Sequence, residues 1–95
     1  MSSWPPKDPD EVLDYTINWR KAGNECLRPG ETIVTSMVEV VSGSVTIDST
    51  TDDGSVVTIW LSGGTVGEVC QVRNHIVTSA TREYDKTANL RIRER

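Results

Sequence analysis

The sequence predicts an all-β fold, a small antiparallel sandwich of six or seven short strands with an extended N-terminal arm. Three observations carry this. From Leu13 to Trp19 the apolar Leu13, Tyr15, Ile17 and Trp19 alternate with the polar Asp14, Thr16 and Asn18. A period of two marks a strand with one buried and one wet face. Turn signals recur at short intervals, among them Pro29-Gly30, Ser42-Gly43, Asp52-Asp53-Gly54 and Ser62-Gly63-Gly64, as in a chain of consecutive short strands. No segment sustains a 3.6-residue apolar period, so no helix of ordinary length is required.

Residues 1–12 carry Pro5, Pro6 and Pro9 behind Trp4 and are expected to form an extended arm outside the core. Asp8-Pro9 biases the chain toward an extended or turn conformation. The sandwich domain is assigned to residues 13–95. Its first strand covers about 13–19, and Arg20 to Glu31 reads as loop. A second strand is expected over about 32–41, with Val34, Val38 and Val40 on one face and Ile33, Thr35, Met37 and Glu39 on the other. Val45 and Ile47 give a short third strand, and Asp52-Asp53-Gly54 a hairpin turn.

Val56 to Leu61 is the fourth strand. Gly63, Gly64 and Gly67 after it demand a tight connection with positive φ. The fifth strand runs from Glu68 to about Ser79, with Cys70, Val72 and Ile76 on one face and Gln71, Arg73 and His75 on the other. Residues 80–86 read as a polar turn, and Leu90 and Ile92 anchor the final strand. An immunoglobulin-like or fibronectin-III-like sandwich is the natural reading, with a small barrel of the OB type as its rival.

At 95 residues, 36% of them hydrophobic, the chain can close one small core. Its net charge of −4 lacks the basic excess of a general nucleic-acid binder. No apolar run approaches bilayer-spanning length, so neither nucleic acid nor membrane is expected as a partner. The N-terminus, MSSWPPKDPDE, has no apolar signal-peptide core, and the chain is expected to stay where it is made. Reduced thiols are therefore expected at Cys26 and Cys70, the first exposed in a loop and the second buried in a strand.

The residues offer little chemistry. His75 is the single histidine, and no nucleophile and acid are placed beside it by the sequence. Asp48, Asp52 and Asp53 match no Ca²⁺ loop. The glycines at 63, 64 and 67 precede a strand where a phosphate loop needs a helix. No catalytic residue, cofactor or metal ligand is assigned. The arginines at 91, 93 and 95 form a stripe at strand spacing, either a charged edge that discourages aggregation or a contact for an acidic partner. Asp8, Asp10, Glu11 and Asp14 supply acid at the other terminus. On the second of these readings, an acidic arm of one copy meets the basic strand of another, head to tail. Trp4, in an arm stiffened by prolines, is an expected docking anchor. The candidate protein-binding residues are Trp4, Asp8, Asp10, Glu11, Arg91 and Arg93.

The run Lys7-Asp8-Pro9-Asp10-Glu11-Val12-Leu13-Asp14-Tyr15, with Ile17 and Trp19, resembles the opening of small tailed-phage virion proteins described as fiber–tail adaptors. Trp60-Leu61-Ser62-Gly63-Gly64-Thr65 and Gly67 resemble a second block of that family. Val72, Asn74, Ile76, Thr78-Ser79, Arg82 and Leu90-Arg91-Ile92 resemble a looser third. Asn18 and Cys70 depart from the family pattern, which has Asp and Tyr there. The resemblance implies a non-enzymatic virion structural protein joining tail or portal-region components to fibers, located in the particle and synthesised in the host cytoplasm. It implies other virion proteins as partners and a homo-oligomer in the particle. A capsid decoration protein and a free-standing binding module are the alternative readings.

Overall fold

The computed structural model of the chain describes residues 2–20 and 27–94. Arg95 and residues 21–26 of the loop expected after the first long strand, Cys26 among them, lie outside the described residues. Seven strands follow in order: β1 (Ser2–Ser3), β2 (Leu13–Asn18), β3 (Ile33–Ser42), β4 (Val45–Asp52), β5 (Val56–Gly63), β6 (Val69–Thr78) and β7 (Glu83–Arg91). They form two sheets, ordered β1-β7-β6-β3 and β2-β5-β4. All pairings are antiparallel except that of β1 with β7. The split of consecutive strands matches the B-E-D and C-F-G sheets of an immunoglobulin-type sandwich, as the sequence predicts.

The period of two puts one row from each strand into a shared core. Tyr15, Ile17 and Trp19 face Val57, Ile59 and Leu61 within one sheet and meet Cys70, Val72, Ile76, Leu90 and Ile92 of the other. Two glycines allow the sheets to close. A side chain at Gly64 would lie 2.8 Å from Ile92 Cδ1, and one at Gly43 would overlap the Cys70 thiol. Both have φ near +100°, a region costly for other residues.

Bulges correct the expected faces. β3 is irregular between Ile33 and Thr35 and between Val40 and Ser42, so Ile33 turns inward and Val34 outward, while Val38 and Val40 keep the inward face. The third strand is longer than Val45–Ile47, because a bulge at Asp48 interrupts the alternation without ending the pairing. The turn before β7 is also shorter than expected. Pairing with β6 resumes at Glu83, where Glu83 and Asp85 face solvent.

The N-terminal segment is extended, as expected, but is not outside the core. Ser2 and Ser3 pair in parallel with Ala88 and Asn89, and Lys7 bridges Ile92. Trp4 N–H donates to Asn89 O (2.9 Å), Lys7 N–H to Arg91 O (3.0 Å), and Arg93 N–H to Lys7 O (2.8 Å). Lys7 is fully buried. This strap closes the side of the sandwich where the edges of β7 and β2 meet.

Candidate protein-binding site

On the strapped side, Trp4 is half-buried and stacks on Tyr15 of β2, with centroids 4.8 Å apart and planes inclined by 19°. Tyr15 returns a bond through its hydroxyl to Pro5 O (3.1 Å). Trp4 is therefore bound within its own chain. Lys7 Nζ donates to Gly63 O (2.7 Å) and Asp8 O (2.8 Å), which satisfies a cation that burial would otherwise disfavour. The strap thus holds β7 through its backbone and the second sheet through Trp4 and Lys7.

The acidic residues after it build a turn. Asp8 N–H donates to Glu11 Oε1 (2.9 Å), Glu11 N–H to Asp8 O (3.0 Å), and Asp10 N–H to Asp8 Oδ1 (2.8 Å). Asp8 and Glu11 thus serve local folding, while Asp10 is exposed. Arg91 and Arg93 are exposed beside the strap. With Trp4, Pro6, Val69 and Asn89 they line a shallow groove of about 290 Å³. Trp4, Arg91 and Arg93 are brought together there, and the acidic trio forms a separate turn.

The open side, formed by the β3 and β4 edges, has no covering segment among the described residues. Its lock lies inside. Asn74, buried between Val72 and Ile76 on β6, accepts from Trp19 Nε1 (2.9 Å) and donates to Ser36 Oγ (2.8 Å) and Met37 O (3.0 Å). The alternation along β6 marks position 74 as inward, a signal that an assignment of apolar positions alone passes over.

The outer face of β6 carries charge. His75 sits between Asp85 (Nδ1 to Oδ1, 2.6 Å) and Glu83 (Nε2 to Oε1, 2.9 Å). These carboxylates, Asp85 foremost, raise its pKa above 6.5. Arg73 pairs with Glu39. At the turn end, Glu31 is buried against Arg82, Arg28 N–H and Thr78 Oγ1, and its pKa falls to about 2, the Arg82 bonds contributing most. Glu68 accepts from Ser44 Oγ, Thr65 N–H and Ser44 N–H, and its pKa also falls to about 2, the Ser44 hydroxyl first among the causes. Burial raises the pKa of the Cys70 thiol, which keeps it protonated and poorly nucleophilic.

On the second sheet Trp60 faces outward, in register with Asp14 on β2 and Ser49 on β4, and is 38% exposed. Among the described residues, no group of three or more His, Cys, Asp and Glu side chains is arranged to hold a metal ion.

The model of the family described as Podophage GP4 fiber-tail adaptor protein gp77 matches residues 7–91. The chain belongs to this family. None of the curated proteins matches the chain. The first and last matched residues are joined in the fold, since Lys7 N–H donates to Arg91 O.

Proposed function

We propose that this chain, as a member of the podophage fiber–tail adaptor family, is a non-enzymatic structural protein of the virion that joins tail or portal-region components to fibers. The observation that carries the reading is the family match, which starts at the lock of the strap and runs into the last residue of β7. The chemistry supports it, because the single histidine is engaged at both ring nitrogens and the Cys70 thiol is buried. Other virion proteins are the proposed partners, with several copies acting together at the tail region after synthesis in the host cytoplasm. The groove of Trp4, Arg91 and Arg93 and the exposed Asp10 are the proposed contacts, Trp4 giving an apolar floor and the arginines a pull on an acidic partner.

A reconstruction of the virion with a copy count tests the reading. Density at the tail junction at about a dozen copies or fewer, as a closed ring there requires, supports it. Hundreds of copies over the capsid would replace it with a decoration role. Particles carrying Arg91→Glu and Arg93→Glu should lose fibers while the isolated variant folds normally, and full fiber occupancy would remove the groove from the interface.

A further inference from the structure

We propose that the outer edge of β3 is a self-pairing surface, on which two copies of this chain align their β3 strands antiparallel about a two-fold axis at Met37. This rests on the proposed oligomer and adds a contact that joins its copies in pairs, but it is tested on the isolated protein, so its failure would leave the adaptor reading standing.

The four edge positions of the two sheets are treated unequally. The β7 edge is covered by the strap, and β2 is flanked by Trp4 and Pro5. The β4 edge carries a bulge at Asp48 and ends in Asp52, and both features blunt strand addition. β3 is ten residues long and holds one charged side chain, Glu39, already paired with Arg73. Met37 is 69% exposed, and Val34 and Val41 stand out at the two bulges. Between those bulges the run Thr35–Val40 is a regular template for another strand, its one charge already paired.

The backbone sets the register. Met37 O is turned toward β6, where it accepts Asn74 Nδ2. Polar groups alternate sides along a strand, so the N–H and C=O of Ser36 and Val38 point to the open edge. Antiparallel pairing centred on Met37 places Ser36 of one copy opposite Val38 of the other, which lets these groups bond in pairs. Met37 then faces itself at a non-hydrogen-bonded position, where side chains approach most closely. Thr35 faces Glu39, so the two glutamates do not meet. Because Met37 pairs with itself, both copies keep the same face toward the core. Each Met37 also borders a groove of about 310 Å³ lined by Glu39, Arg73, His75 and Asp85, room for the flexible thioether of the partner.

Sedimentation velocity over a concentration series tests this. The wild type is expected to dimerise, and Met37→Lys, which sets two ammonium groups face to face, to weaken the dimer at least tenfold with unchanged thermal unfolding. In a Cys26→Ser background, Met37→Cys should cross-link into a disulfide dimer on mild oxidation, since facing Cα atoms about 4.5 Å apart fit a disulfide. Thr58→Cys on the other sheet should not. A wild type that stays monomeric up to about 1 mM, the weak end of specific binding, overturns the proposal. So does a Met37→Cys variant that cross-links no faster than Thr58→Cys.

Discussion

The two sides of this sandwich are held by opposite means. On the strapped side a covering segment is locked from outside by Trp4 stacked on Tyr15 and by Lys7 on Gly63 O. On the open side β3 is held from within, by Asn74 reaching Ser36 and Met37. The difference teaches where tolerance to change lies. The strapped side spends its surface on stability, and the open side keeps its surface uncommitted.

The sharpest way to break the contrast is to remove the strap. Deleting residues 1–7 exposes the β7 edge and the flank of Ile92 and leaves Gly63 O without its donor. It should cost about 4 kcal/mol or more, near the limit a small domain tolerates, read as a fall in the urea midpoint. Asn74→Ala is the matching change on the open side. It strands the Trp19 N–H in the core and removes the bridge to Ser36 and Met37, and should cost about 2–3 kcal/mol by the same measurement. Were it nearly neutral, the internal lock would lose its importance. Trp4→Ala removes a half-buried ring and its stack while sparing the strap backbone, so a loss of about 1–2 kcal/mol is expected.

The pH profile is a gentler probe, and its two limbs belong to different groups. Glu31 and Glu68 fall from an ordinary 4.5 to about 2 in the fold. Their stabilisation is complete above 4.5 and drains as pH drops through that value toward 2. His75 is shifted upward from 6.5, so its contribution is complete below 6.5 and fades as pH rises through the raised value. Thermal midpoints should therefore peak between 4.5 and 6.5, and His75→Gln should remove the decline on the alkaline limb alone. The smallest effect is expected from Met37→Thr at the open edge, within about 0.5 kcal/mol in monomer stability. A larger loss would mean that Met37 packs within its own chain.

Strands with strong alternation and apolar anchors were legible in the sequence, and those organised by bulges or polar faces were less so. Leu13 to Trp19 could be read because every second residue enters the core. β4 was cut short at Ile47 because the bulge at Asp48 resets the pattern and the Ser and Thr beyond it give no apolar signal. Val34 was put on the wrong face for the same reason one strand earlier. β7 starts on Glu83, Asp85 and Lys86, residues whose polarity reads as turn until the partner strand is known.

The strap was legible only as an extended segment. Its binding depends on a buried lysine, and lysine is among the residues least expected inside. Of the candidate contact residues, Arg91 and Arg93 lie on the surface as the strand spacing implies, and Asp10 is exposed as well. Trp4, Asp8 and Glu11 turned out to have partners in their own chain, which no local pattern announces because those partners are distant or backbone groups.

The parallel pairing of Ser2 with Ala88 and of Lys7 with Ile92 has a consequence for biosynthesis. The strap is synthesised before the other strands of the sandwich, and it docks on β7, the last of the seven to be made. Until β7 is made, Trp4 and the Lys7 ammonium have no strand to dock on, and the side of the nascent sandwich they will seal stays open. Closure of the strap joins the most widely separated strand partners among the described residues, so its loop entropy makes it a late event. The sandwich becomes fully folded only after β7 is free, and a truncated chain lacking β7 would carry a strap segment without its docking strand.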